Sequence, residues 1–151
     1  MGPRRRAREH ALQILFSLDG EERPQLARVL AHFWREFVTS DGAAADRDGD
    51  DARDPQVVGF AEALVTGTLE HLAEIDAVLQ KASRNWRLER MARVDRNVLR
   101  LATYELKYEP EVPAKVVINE AIEVAKRFGA HESAAFVNGL LDRISQELRR
   151  P

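Results

Sequence analysis

Apolar residues along this chain recur every three to four positions, the period of an amphipathic helix, and prolines fall between the periodic segments. The spacing predicts a first helix over about 4–18, with Ala7, Ala11, Leu12, Leu15 and Phe16 on the face that must be buried. A second begins after Pro24, a residue suited to a first helical turn, and carries Leu26, Val29, Leu30, Phe33 and Phe37 as its stripe. Asp54 and Pro55 read as N-cap and first turn of a third, on Val57, Ala61, Leu64, Val65 and Leu72. That helix either continues or breaks near Ala73 into Ile75, Leu79 and Ala82.

Residues 84–94 are less periodic and rich in arginine, so they read as a connection; Trp86 there is a core anchor or an exposed aromatic, with the core favoured. Asp95 is placed to cap a helix over about 94–108, whose Val98, Leu99, Leu101, Ala102 and Leu106 spread over an arc wide enough for a central position. Pro110 and Pro113 end it and start the next, on Val117, Ala121, Val124, Ala125 and Phe128, with Gly129 as a left-handed stop. The last helix runs from about Ser133 to Leu148 on Val137, Leu140, Leu141 and Ile144. No segment reads as a strand, and the pattern predicts an all-α protein of about seven helices.

Composition interrupts this picture once. Residues 39–55 hold six aspartates, two arginines and no large apolar side chain, which predicts a flexible acidic surface loop. Asp46, Asp48 and Asp50 have the spacing of a calcium loop, but Asp51 stands where the turn needs glycine and Val57 where a bidentate glutamate is needed. At 151 residues the chain fits a single domain, 1–151, able to bury about two-thirds of its unfolded surface. It has no cysteine, which removes thiolate catalysis and Cys-ligated metals. No run approaches the roughly 18 apolar residues of a membrane span, and the first residues lack the apolar core of a signal peptide, so a cytoplasmic protein is expected.

The search for chemistry returns near misses. His131-Glu132 begins like HExxH, but Ala135 occupies the second ligand position, and no P-loop, GxGxxG or GxSxG is present. The four histidines are scattered, and Glu123 can pair with Arg127 one turn on, so no carboxylate pair demands a catalytic role. These residues point away from an enzyme and require no cofactor or metal. Gly139 lies mid-helix at a cost of roughly 1 kcal/mol relative to alanine, which predicts a close helix approach there, and the amide of Asn138 beside it can bond a neighbouring loop or a ligand, the loop bond being favoured.

Charge is distributed unevenly. The chain carries −2, yet residues 1–10 hold Arg4, Arg5, Arg6 and Arg8 against Glu9, a local +3, and the rest sums to −5. Each arginine in a first helical turn is disfavoured by about 0.3–1 kcal/mol against the helix dipole. An anion, phosphate above all, would favour both the dipole and the guanidinium groups, so the basic helix start is a candidate nucleic-acid contact, with the arginines projecting from its end.

RRRAREHALQILF at the start, VDRNVLRLATYEL in the middle, and VPAKVVINEAIEVAKRFG followed by FVNGLLD together resemble the bacterial antitermination factor family NusB. The resemblance implies a helical bundle of two packed subdomains. It implies binding to single-stranded boxA RNA of nascent ribosomal RNA leaders together with NusE, a small-subunit ribosomal protein, and assembly with other Nus factors on RNA polymerase, with no reaction catalysed. By position, Arg4, Arg5, Arg6 and Arg8 match the family's arginine-rich RNA-binding motif, with Lys126 and Ser133 near the same surface. Phe136 matches an aromatic of the FVNG motif that stacks on a base, although as a residue it reads equally as a core phenylalanine.

Phe16 and Asp95 match positions toward NusE, the second as an acid facing a basic protein. Residues 20–93 depart most from the family, and a homodimer that hides the RNA surface is compatible with it. Two other readings stay open: the NusB-like domain of a ribosomal RNA cytosine methyltransferase, against which the chain shows no α/β cofactor domain before Pro151, and a protein-only helical module.

Overall fold

The computed structural model describes residues 2–21, 25–39 and 46–149, with only the backbone at 37–39 and 46–49. Among these residues the structure is all-helical, and the chain divides into two compact units, 1–66 and 67–151. The first unit holds α1 (Pro3–Leu18), α2 (Leu26–Thr39), α3 (Asp46–Arg53) and most of α4 (Pro55–Glu70). The second holds the end of α4, α5 (Leu72–Ala82), a 3-10 turn (Leu88–Arg90), α6 (Arg93–Tyr108), α7 (Ala114–Phe128) and α8 (Ser133–Leu148).

The helix starts follow local chemistry. Pro3 opens α1, and the Asp54 carboxylate accepts the Gln56 N–H at 2.9 Å ahead of α4, as the Asp-Pro pair predicts. Pro113 is the N-cap of α7. The boundary left open after Leu72 falls earlier, at His71, which leaves α4 and α5 as separate helices. Pro24, expected to open the second helix, lies outside the described residues, as do the side chains of Phe37, Asp46 and Asp48.

Four local expectations are corrected. The stretch expected to be loop over 39–55 contains α3, because Asp51, 3% exposed, is tied to α1 by contacts that no local pattern reveals. Gly129 has φ −95° rather than a left-handed value; a Cβ there would meet the Ser133 side chain at 2.6 Å, so close approach accounts for the glycine. Gly139 has open space around it and no neighbouring backbone, while Gly67 is the glycine against which another side chain, the Tyr104 ring, is packed. Asp95 lies inside the first turn of α6, and Ala92 is its N-cap.

The core of the first unit contains Ala7, Ala11, Leu12, Ile14, Leu15, Trp34, Val57, Ala61 and Leu64. Phe16, expected in that core, is 39% exposed; it lies about 180° around α1 from Ala7, at 100° per residue. In the second unit α6, α7 and α8 pack on one another, burying Val98, Leu99, Val117, Val124, Val137, Leu141 and Ile144. Phe128, placed on the α7 stripe, is only half-buried.

Guanidinium groups hold the ends of these helices. Arg149 donates to the carbonyls of Leu106 (2.9 Å), Glu105 (3.2 Å), Glu109 (3.0 Å) and Val112 (2.5 Å), closing the end of α6. Arg100 makes a two-point contact with Asp76 at 2.8 and 2.9 Å, joining α6 to α5.

Candidate nucleic-acid interface

In the first unit the arginine-rich end of α1 meets one ring and one acid. Arg4 and Arg8 hold their guanidinium carbons 5.1 and 5.3 Å from the centroid of Phe60 on α4. A guanidinium stacked on a ring uses its face and keeps its N–H edges able to donate. Arg6 Nε donates to Asp51 Oδ1 at 2.7 Å, and the other oxygen, Oδ2, lies 3.0 Å from His10 Nε2. Rings line the other side of His10: Trp34 lies 5.3 Å away edge-on and Phe33 5.8 Å away, while Trp34 Nε1 donates to Glu62 at 3.0 Å.

This geometry modifies the expected projecting arm. Arg4 is exposed, Arg5 and Arg6 are half-buried and Arg8 is buried at 4% exposure, so the four cations do not all reach outward. The first turn of α1 carries no acid of its own, and Asp51 arrives from α3 instead. Phe60 and Asp51 went unnoticed as site residues in the sequence, because each reaches the arginines across more than 40 positions of chain.

In the second unit, Phe136 is half-buried and its ring lies 6.5 Å from that of Trp86, tilted by 57°. Trp86, expected in the core, is 54% exposed. The two rings border an open hollow of about 590 Å³ that also includes Met91, Asp95 and Glu132. Asp95 Oδ1 is buried there with no hydrogen-bond partner among the described residues. Ser133, expected near the RNA surface, is 1% exposed, and its hydroxyl accepts the Ala130 N–H at 2.9 Å; it shapes the turn before α8. Lys126 is exposed, 3.7 Å from Glu123, the acid expected to pair with Arg127. Asn138 is exposed with no partner among the described residues, where a bond to a loop was expected.

Among the described residues no group of three or more His, Asp or Glu side chains could hold a metal, and no helix is long and apolar enough to cross a membrane.

A sequence model of the NusB family matches residues 5–146. The chain is 48% identical to "Transcription antitermination protein NusB" of Myxococcus xanthus (strain DK1622), covering all of both chains. It is 49% identical to the protein of the same description from Sorangium cellulosum (strain So ce56), over 99% of this chain and 96% of that one. Among solved structures, T. maritima NusB matches with a TM-score of 0.77 at 37% identity, covering 97% of this chain and 93% of that one. A structure described as antitermination factors NusB and NusE in complex with dsRNA also matches at 0.77, covering 97% and 98%, and at 22% identity shows the shared fold. A family model over residues 5–146, a full-length likeness and a common helical architecture therefore agree: the chain belongs to the NusB family.

Proposed function

We propose that this protein is a transcription antitermination factor that binds single-stranded boxA RNA of ribosomal leaders together with NusE. It acts in the cytoplasm with other Nus factors on RNA polymerase and catalyses no reaction. The observation that carries this reading is the arginine end of α1, where Phe60 and Asp51 hold guanidinium groups side by side in a helix turn without acids of its own. Such a cluster presents fixed donors to phosphate, and the description shared by relatives at 48–49% identity supplies the biological setting.

Roles divide by exposure. Arg4 and Arg5 make the first phosphate contacts; Arg6 exchanges part of its bond to Asp51 for a phosphate, and Arg8 supports the cluster from within. Phe136 offers its ring to a base and Lys126 adds an exposed cation. Phe16, an exposed aromatic on α1, and Asp95, with an unpaired carboxylate oxygen, are the contacts for NusE, one apolar and one facing a basic side chain.

The test is titration of a labelled boxA-type RNA at several salt concentrations, with and without NusE. Four neutralised phosphates give a log–log salt slope of about −3, from roughly −0.7 per contact on a single strand. Alanine at Arg4, Arg5, Arg6 and Arg8 flattens that slope and NusE raises the affinity of the unaltered protein. RNA binding untouched by the fourfold substitution would overturn the role of α1. Capture of NusE with no RNA contact at any salt would replace the reading with a protein-only module.

A further inference from the structure

The first helix is not the most basic stretch of the chain. Residues 81–100 carry seven cations against Glu89 and Asp95, a net of +5 where residues 1–10 carry +3. Several of these cations have structural work: Arg100 grips Asp76, and Arg96 donates to the Leu88 and Met91 carbonyls at 2.9 and 3.2 Å. Lys81 and Arg84 differ. Both are exposed, and neither has a hydrogen-bond or ion-pair partner among the described residues.

These two cations border a second hollow, of about 370 Å³, that shares Trp86 and Phe136 with the first, with Leu140, Arg143 and the acid Glu147 completing its rim. The exposure of Trp86 is not the result of a slack turn. Its carbonyl accepts from Gln80 Nε2 and from the Ser83 hydroxyl, each at 3.1 Å, and Gln80 Oε1 accepts the Leu88 N–H at 3.1 Å. Arg143 also donates to the Ala82 carbonyl at 2.6 Å, tying α8 to the end of α5. A well-held backbone thus keeps a large ring half in water, against the roughly 1.5–3 kcal/mol that burying such a side chain gains. The two rings are tilted at 57° with centroids 6.5 Å apart, so a face of Trp86 stays open to a third ring.

We propose that this hollow takes one unpaired nucleotide of the bound RNA, its base stacked on Trp86 beside Phe136 and its phosphate between Lys81 and Arg84. The inference rests on the RNA-binding reading above and adds to it a binding site in the second unit. An aromatic face among uncommitted cations is the composition of single-strand binding sites, because every base has a π-face and every nucleotide a phosphate. A basic protein segment would meet Lys81 and Arg84 as like charges, and a duplex would present no base face to the ring.

Tryptophan emission reads the site directly. The only other tryptophan, Trp34, is 8% exposed with its indole N–H bonded to Glu62, so quenching on addition of single-stranded RNA reports Trp86. The expected result is quenching by single-stranded boxA-type RNA and not by the same sequence as a duplex. Trp86→Ala weakens single-strand binding about tenfold, while Trp86→Phe, which keeps a ring, costs less than about threefold. Lys81→Ala with Arg84→Ala removes one phosphate contact and reduces the magnitude of the salt slope by about 0.7. Circular dichroism checks that these surface variants stay folded.

If Trp86→Ala leaves RNA affinity unchanged while alanine at the four α1 arginines reduces it, the hollow is not an RNA site and the antitermination reading stands. If the unaltered protein binds no RNA, both fall. Loss of NusE capture by Trp86→Ala with RNA affinity intact would assign the hollow to a protein and overturn the inference. Equal quenching by free cytidine monophosphate at the same concentration would overturn its assignment to RNA.

Discussion

The arginines of the two units are used in opposite ways. At the end of α1 they lean on a ring and a carboxylate, Phe60 and Asp51, and remain grouped. In the second unit Arg96, Arg143 and Arg149 point into backbone carbonyls at helix ends, and Arg100 into Asp76. Arginine content alone therefore says little about nucleic acid, since a guanidinium that fills a helix C-terminus has its donors occupied. What distinguishes Lys81 and Arg84 is the absence of any such partner among the described residues, not their place in an arginine-rich run.

Removing the acid from the first unit is the strongest way to break this contrast. Asp51 has a 5% exposed side chain between Arg6 at 21% and His10 at 6%, so Asp51→Ala strands a half-buried cation and releases α3 from α1. Breaking a buried pair from one side costs about 3–5 kcal/mol, and the partial exposure of Arg6 puts the expected loss near the lower end, about 3 kcal/mol. Thermal unfolding should show Tm falling on the order of 10 °C. A loss under about 0.5 kcal/mol would mean that the carboxylate does not hold the cluster together.

In the second unit the matching variant is Arg149→Ala, which removes donors from four carbonyls at once. The side chain is half-buried, and water can replace part of what it supplies, so the expected loss is about 2 kcal/mol in denaturant unfolding. Arg149→Lys keeps the charge but not the planar fork that reaches several carbonyls together. It should recover less than half of that loss, and full recovery would show that charge near the helix end, rather than fork geometry, holds α6.

The two regions were also unequally legible in the sequence. The helical period located α1, α6, α7 and α8 to within a residue or so, because each carries its own apolar stripe. The stretch 39–55 misled, since α3 is held by the distant contact of Asp51 with Arg6 and His10, and composition reports only local tendency. The arginine cluster was legible as a charge pattern, but its geometry was not: nothing local marks Phe60 as the ring beneath Arg4 and Arg8. Trp86 was read inward on the average habit of tryptophan, whereas Ser83 and Gln80 fix the turn that faces it outward. Gly139 was given a packing role that the open space around it removes, and nothing in the structure explains it.

Smallest in effect is a surface network of the second unit that titrates at both ends of the pH scale. Glu74 accepts hydrogen bonds from Lys107 and from the Tyr108 hydroxyl, the latter at 2.6 Å, and these bonds hold its carboxyl below the ordinary 4.5. The same carboxylate pushes Tyr108 from 10.0 up to about 12, and burial raises Tyr104 in the same direction. A tyrosine whose folded pKa is raised contributes stability that is complete below pH 10 and is lost as pH rises through about 12; Glu74, lowered, contributes above 4.5 and loses that contribution in acid. Both groups face solvent, so screening keeps the contribution small and salt-dependent. The chain has only these two tyrosines, and tyrosinate absorbance therefore reads them without interference. In the folded protein ionisation should be delayed well past pH 10, and Glu74→Gln should bring one of the two midpoints down by removing the negative charge beside Tyr108. A titration in which both tyrosines ionise at the unfolded value, with or without Glu74, would show that this network does not form in solution.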